Sequence, residues 1–394
     1  MVVYLDHAAT TPLHPAARAA WLAAQDVVGN ASSVHAAGQA ARRLLEDARD
    51  AVAQALGCQP IEIVFTSGGT EAINLALKGL WFHAADPSGS IVLPDGEHHA
   101  TVDTVAWLAA RESAAVRAVP LDELGRIDAE RFAAALPGAT FATALLANNE
   151  VGTVNDVRLL ADAAAAARVP LHLDAVAALG SVPIDVATWR GPGSSATGLV
   201  ALSVSGHKVG GPVGTGALYV SRHAQLTALA HGGGQQRGLR AGTQDVAGAA
   251  AFAAALVATE ADRAETAART ARLRDRLAHG IRAVVPDAVV LGDPHDRLPG
   301  NLHVLFPSTA GETMLFLFDT HGIAVSTGSA CQAGVTEPSH VVQALGRSAD
   351  DARAVLRFTL GRTSTDGDVD AVLAALPDVH ARAVAAGART AARP

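Results

Sequence analysis

The chain has 394 residues, of which 49% are hydrophobic and 17% charged, enough apolar material for one large domain and a smaller one. A formal net charge of -8 offers no basic face to a phosphate backbone, which excludes nucleic acid as a directly held ligand. Cys58 and Cys331 are the two cysteines, without a CxxC pair or an HExxH, so neither a disulfide framework nor a resident metal is expected.

The first residues, Met-Val-Val-Tyr-Leu-Asp-His, lack the basic region of a secretory signal. The longest apolar run, Val246 to Ala258, is interrupted by Gly248 and is too short to span a bilayer. The expectation is a soluble cytoplasmic protein. In chain order, residues 1 to 14 read as an extended arm, Pro15 to Gln25 as a helix, and His35 to Leu56 as a second helix closed by Gly57. Ile61 to Phe65 alternates as a strand and runs into Thr66-Ser67-Gly68-Gly69-Thr70-Glu71, followed by a helix from Ala72 to Trp81. A strand, a glycine turn and a helix N-terminus form an anion site from backbone N–H groups, so a phosphate-bearing cofactor is the better reading of this turn, an ordinary strand-to-helix turn the plainer one. A Walker A loop is excluded because no lysine follows a glycine, and no GxGxxG lies between a strand and a helix.

Strands and helices then alternate: Ser90 to Leu93, Ala100 to Glu112, Ala115 to Val119, Thr140 to Ala147, Val157 to Arg168 and Val169 to Asp174. That alternation predicts an α/β fold with a mainly parallel sheet, covered on both faces, that takes ligands at the carboxyl ends of its strands. His98, Asn149, Asp174 and Lys208 all fall at such ends. From Phe252 an Ala/Arg/Leu helix runs to about Val285, followed by strands at His303 to Phe306 and Arg357 to Leu360 and helices at Glu312 to Gly322 and Asp366 to Ala375. These read as a smaller α+β domain, with a frayed tail over the last dozen residues. The expected division is 15–256 for the large domain and 1–14 with 257–394 for the small one.

Lysine occurs only at Lys78 and Lys208 among 30 basic residues. Lys208 lies in Ser-Gly-His-Lys-Val-Gly-Gly-Pro, where glycine and proline forbid a helix. An amine on that turn is placed to form a Schiff base with a carbonyl cofactor, although a solvated loop lysine fits this segment alone equally well.

Taken together, Tyr-Leu-Asp-His-Ala-Ala-Thr-Thr-Pro (4–12), Gly-Asn-Ala-Ser-Ser-Val-His (29–35), Thr-Ser-Gly-Gly-Thr-Glu (66–71), Glu-His-His (97–99), Asn-Asn-Glu-Val-Gly (148–152), His-Leu-Asp-Ala (172–175), Ser-Gly-His-Lys (205–208), Arg-Ala-Gly-Thr (240–243) and Ser-Thr-Gly-Ser-Ala-Cys (326–331) resemble the NifS/IscS-type cysteine desulfurases. These are pyridoxal-phosphate enzymes of the aspartate-aminotransferase fold, in the class-V aminotransferase family. The resemblance covers about residues 3 to 380. It implies a seven-stranded sheet, pyridoxal 5'-phosphate on Lys208, Asp174 facing the ring nitrogen, His98 against the ring and in proton transfer, and Asn149 at the ring's edge. Phosphate would be held by Gly69, Thr70, Ser205 and His207, with Thr243 supplied by the second subunit of a homodimer. Arg357 would clamp the substrate carboxylate of L-cysteine, assisted by Asn30, the alternative for an arginine in a strand being to pair with a structural acid.

Cys331, on a loop of small residues, would attack the substrate sulfur as thiolate, take it as persulfide and release alanine. It could also ligate an iron–sulfur cluster transiently. The segment from Thr327 to Ser339 resembles the mobile loop of the NifS/IscS branch, suited to passing sulfur to an acceptor or scaffold protein for iron–sulfur clusters, tRNA thiolation or another pathway. For Cys58, incidental packing is the favoured reading. One departure stands out: where the family has glutamine three residues after the ring-facing aspartate, this chain has Ala177, which cannot donate a hydrogen bond to the cofactor's phenolate oxygen. Other readings are a different pyridoxal-phosphate lyase or aminotransferase, such as a selenocysteine lyase, and a weakly active scaffold that binds sulfur carriers.

Overall fold

Strand and helix alternate along the chain because short β-branched and leucine-rich runs, apolar on both faces, are bounded by glycine turns and amphipathic alanine-rich helices. The computed structural model describes residues 2–84, 88–190, 196–328 and 337–391. Among the described residues the main sheet comprises β1 (Ile63–Thr66), β2 (Ser90–Pro94), β3 (Ala115–Val119), β4 (Phe141–Leu145), β5 (Pro170–Asp174), β6 (Gly198–Ser205) and β7 (Gly216–Val220). Their order across the sheet is β1-β7-β6-β5-β4-β2-β3. Pairing is parallel from β6 through β3, and β7 runs antiparallel to both of its neighbours. Every residue of β6 is buried, as a central strand with helices on both faces requires.

Two apolar clusters cover the two faces of this sheet. One gathers Val52, Leu56, Leu171, Leu173, Leu202 and Phe252, the other Ile73, Leu77, Val105, Phe141 and Val200. A separate core forms around a second, antiparallel sheet of β8 (Val289–Leu291), β9 (Asn301–Leu305) and β10 (Val355–Thr359). It draws Leu5 from the N-terminal arm to Leu277, Phe318, Phe358 and Leu376. The arm joins both bodies: Val3–Tyr4 pairs in parallel with Ile323–Ala324, while Thr11 N–H donates to His207 O (3.0 Å) and His14 N–H to Gly210 O (2.8 Å).

Several boundaries differ from expectation. The first strand begins at Ile63 because Pro60–Glu62 forms a 3-10 turn, whose Glu62 is fully buried and accepts from Gln59 N–H (3.1 Å) and Arg190 Nη1 (2.8 Å). β7 was not anticipated, since its flanking glycines mask a short run of Ala-Leu-Tyr-Val. The long helix expected from 252 to 285 is two, Val246–Ala261 and Arg263–Val284, broken at Asp262; residue 256 lies inside the first. Of the expected frayed tail, the described residues up to Ala391 continue a helix, Asp366–Ala391, whose Val369, Val372, Leu376, Val379 and Ala383 form one apolar stripe and whose end is rich in alanine, the best helix former; residues 392–394 lie outside the described residues. Among the described residues, no helix is long and apolar enough to cross a membrane.

Candidate active site

The strand ends β6, β5, β4 and β2 are neighbours in the sheet, so the side chains that follow them share one edge. Lys208, Asp174, Asn149 and His98 all line a cavity of about 510 Å³ there, with Gly69, Thr70, Ser205, His207 and Arg357. Asn30 and Thr243 do not line it. Both are exposed, and the Asn30 side chain is taken up locally, its Oδ1 accepting from Ser32 N–H at 2.9 Å. The structure therefore does not bring Asn30 to the site of its own chain: an asparagine that closes an Asx turn points back at its own backbone. Cys331 and residues 329–336 of the expected mobile loop lie outside the described residues. Gly328, immediately before them, lines the cavity.

Lys208 ends the 3-10 turn Gly206–Lys208 that follows β6. Its Nζ donates to the carbonyls of Ala8 and Ala9 in the N-terminal arm, the latter at 3.1 Å. Burial pushes its pKa down to about 8, Arg357 adding repulsion while Asp6 and Asp174 oppose the shift. Lys78, by contrast, lies over the Trp107 ring at 4.4 Å from the centroid, which accounts for the second lysine without chemistry.

Asp174 closes β5 and is 2% exposed. Its Oδ1 accepts from Val176 N–H (2.9 Å), and burial raises its pKa to about 6 against the opposing pull of that bond and of Lys208. Beside it lies a carboxyl that sequence reading passed over. Glu97 is 1% exposed, its Oε1 accepts from Leu145 N–H at 2.7 Å, and burial together with the Asp174 charge holds its pKa well above the usual carboxylate range. Burial and the Asp174 charge thus both disfavour the ionised form of Glu97.

His98 caps the helix His99–Glu112, its Nδ1 accepting from Ala100 N–H at 3.1 Å. That bond fixes the tautomer with the proton on Nε2. The ring opens onto the cavity, yet surrounding protein lowers its pKa to about 4, with Lys208, His99 and His340 adding repulsion, so it is neutral near pH 7. Behind the site His172 bonds Thr143 Oγ1 (2.9 Å) and Ser203 Oγ (2.8 Å), tying β4, β5 and β6 together.

Arg357 is 5% exposed; its Nη1 donates to Asn149 O (2.9 Å) and its Nη2 to Asp6 Oδ1 (3.0 Å), while Nε has no partner among the described residues. The guanidinium is engaged by Asp6, which is the pairing with a structural acid that the sequence left open. At the opposite wall, the helix Gly69–Ala84 starts at the cavity, and a Cβ at Gly69 would meet Val176 Cγ2 at 2.7 Å, so glycine is needed there. The first backbone N–H groups of a helix, with Ser205 and His207 beside them, suit a phosphate. An orphaned Asn149 Oδ1, a buried carboxylate without a cation in contact and an amine able to lose its proton complete a donor set that fits pyridoxal phosphate.

Residues 3–372 match the family model described as aminotransferase class-V. The chain belongs to the class-V aminotransferase family. Its relatives in this family include the IscS-like cysteine desulfurase of Mycobacterium tuberculosis (strain ATCC 25618 / H37Rv), 44% identical over 389 residues and covering 97% of each chain. Among solved structures, a NifS-like protein superposes with a TM-score of 0.88 at 30% identity, covering 97% of this chain and 100% of the other. A structure described as SspA in complex with cysteine gives a TM-score of 0.77 at 29% identity, covering 92% and 99%. The family's cofactor is pyridoxal 5'-phosphate, which agrees with the donor set above.

Cys58 is not a second reactive thiol. It packs beside the core, and burial with the Glu62 charge pushes its pKa up to about 12.

Proposed function

We propose that the protein is a cysteine desulfurase that uses pyridoxal 5'-phosphate to convert L-cysteine to L-alanine, placing the sulfur on Cys331 as a persulfide. The observation that carries this reading is one cavity lined by Lys208, Asp174, His98 and Asn149, with Gly328, three residues before Cys331, in the same wall. The cofactor, bound there, supplies an electron sink for the carbanion formed at the substrate's α-carbon. Lys208 and His98 hold and move protons, the first at Nζ and the second at Nε2. Asp174 provides the negative charge opposite the ring nitrogen, Asn149 meets the ring's edge, and Gly69, Thr70, Ser205 and His207 take the phosphate. Arg357 meets the substrate carboxylate.

The sulfur step balances without an external oxidant. The Cys331 thiolate bonds to the substrate sulfur, the Cβ–S bond breaks, and its electron pair ends in the new C–H bond of alanine. Sulfur is oxidised by the amount that carbon is reduced.

Thr243 and Asn30 fit a homodimer in which each subunit completes the other's site. Val28, Val34 and Val213 are respectively 84%, 89% and 82% exposed, apolar surface of the kind a partner subunit covers. Residues 15–256 are read as the cofactor-binding domain and 1–14 with 257–394 as the smaller one. A cytoplasmic setting and a protein acceptor for the persulfide belong to the same proposal.

The test uses purified holoenzyme with L-cysteine. Alanine release together with a persulfide found at Cys331 by alkylation and mass spectrometry is the expected result, and Cys331→Ala is expected to lose desulfuration. Undiminished sulfide release in that variant would favour a different lyase of the same fold.

Ala177 lines the cavity three residues beyond Asp174, just after the Val176 whose N–H donates to Asp174 Oδ1. A glutamine side chain there would reach into it and add the missing donor. Ala177→Gln is expected to move both the cofactor's absorbance and the pH at which it changes, and to raise turnover several-fold; an unchanged spectrum and rate would refute the idea.

A further inference from the structure

We propose that Glu150 is a positioning residue for sulfur transfer, holding the chain on both sides of the Cys331 segment; this rests on the reading of Cys331 given above. Glu150 belongs to the turn after β4, which is fixed by its own side chains. Asn148 Oδ1 accepts from the N–H groups of Glu150 (2.9 Å) and Val151 (3.0 Å), and Asn148 Nδ2 donates to Gly96 O (3.0 Å). The next residue, Asn149, faces the cavity and carries the carbonyl that Arg357 grips. Glu150 itself turns away from solvent and is 2% exposed.

A carboxylate buried to that degree is costly unless it has a partner. Among the described residues its hydrogen-bond partner is the hydroxyl of Ser339, which donates to Oε2 at 2.5 Å. Ser339 is fully buried; its hydroxyl also caps the helix His340–Ala344 by accepting from Val342 N–H (3.1 Å), and its own N–H donates to Ala352 O (3.2 Å). The same carboxylate lies under the other flank. Gly328 has a left-handed backbone (φ +88°), and a Cβ built on it would stand 3.2 Å from Glu150 Oε2 and 3.3 Å from His303 Cε1. One side chain therefore bonds the serine after the Cys331 segment and leaves little room for a side chain on the glycine before it.

Chain length decides which flank matters more. Three residues from Gly328 span at most about 10–11 Å, whereas the eight back from Ser339 allow about 26–29 Å. The position of Gly328 thus limits where the thiol can go, and Gly328 is set by two things. Ser326 exchanges backbone hydrogen bonds with Arg357 (3.1 and 2.6 Å) and accepts from Gly328 N–H through Oγ (3.0 Å). Beneath it lie Glu150 and His303. The helix His340–Ala344 is kept in place independently, since Val341, Val342 and Leu345 share an apolar cluster with Val151. Removing the carboxylate should therefore loosen the flanks without unfolding the site.

Rapid mixing of holoenzyme with L-cysteine separates the two stages: the change in cofactor absorbance reports substrate arrival, and quenching, alkylation and mass spectrometry report first-turnover persulfide at Cys331. In Glu150→Ala the absorbance change and its half-saturating cysteine concentration are expected to stay within about twofold, while the persulfide rate falls on the order of 10- to 100-fold, as for a misplaced reacting group. Glu150→Gln keeps an acceptor for the Ser339 hydroxyl and is expected to recover most of that rate; Ser339→Ala should lose a smaller part of it. An unchanged persulfide rate in Glu150→Ala overturns the proposal, and so does a parallel loss of both signals that glutamine does not repair, which would mark a merely structural role. If the unmodified enzyme releases alanine without a persulfide at Cys331, it is the reading of Cys331 that fails, and this inference with it.

Discussion

Replacing Lys208 by alanine is expected to remove the cofactor's covalent anchor and lower cysteine desulfuration by at least about a thousandfold, since the proposed function makes the amine both the attachment point and a proton carrier. Its surroundings make it reactive. Burial and Arg357 bring the pKa down to about 8, so about a tenth of the amine is neutral at pH 7 and can attack an aldehyde. Cofactor capture by the apoprotein should accordingly quicken as pH rises through 8, because only the deprotonated amine attacks. Borohydride reduction of the holoenzyme, followed by digestion and mass spectrometry, should label position 208. Lys78 is the internal control, held over Trp107 on the helix Gly69–Ala84. A variant that kept full activity, or a reduced cofactor found elsewhere, would contradict the assignment.

What could be read ahead of the structure is what local chemistry determines. The strand-glycine-helix turn at 63–72 and the strand ends carrying His98, Asn149, Asp174 and Lys208 follow from periodicity and turn residues, and the sheet order then makes those ends neighbours. What could not be read needs contacts across long stretches of chain. The pairing of Arg357 with Asp6 spans almost the whole sequence, and Glu150 meets Ser339 only because the small body folds back over the turn after β4. The Glu-His-His and Asn-Asn-Glu segments did contain a signal for Glu97 and Glu150. Each places an acid directly beside a cavity residue, where a solvated loop would have been the ordinary expectation. Asn30 shows the opposite case: its segment fits the family pattern, yet a single chain gives the side chain nothing but its own turn.

Asp174→Asn is expected to push apoprotein stability and catalysis in opposite directions. Among the described residues no cation is in hydrogen-bond contact with the carboxylate, and burial raises its pKa from 3.8 to about 6. A folded-state pKa above the unfolded value means that the native state binds the extra proton between about pH 4 and pH 6, so stability falls as pH rises through that window and stays lower above it. The shift corresponds to about 3 kcal/mol. Asparagine is never charged there, so the variant apoprotein should melt a few degrees higher at pH 7.5 than the unmodified apoprotein, and its stability should vary less between pH 4 and pH 6. The same substitution removes the negative charge proposed to keep a pyridine nitrogen protonated, and Glu97 beside it, whose ionisation burial and the Asp174 charge disfavour, is a poor replacement. Desulfuration is expected to fall on the order of 100- to 1000-fold, the usual cost of deleting one preorganised electrostatic group. Calorimetry of the two apoproteins and alanine release by the two holoenzymes check both halves. If the variant apoprotein melted lower, Asp174 would have to be compensated before the cofactor arrives, by Lys208 acting as a full ion-pair partner; if it retained activity, the ring nitrogen would not need the acid. Uncompensated charge at this position is the physical reason to expect tight cofactor binding: the site is destabilised by a group whose partner comes with the ligand, so part of the binding energy is relief of that strain.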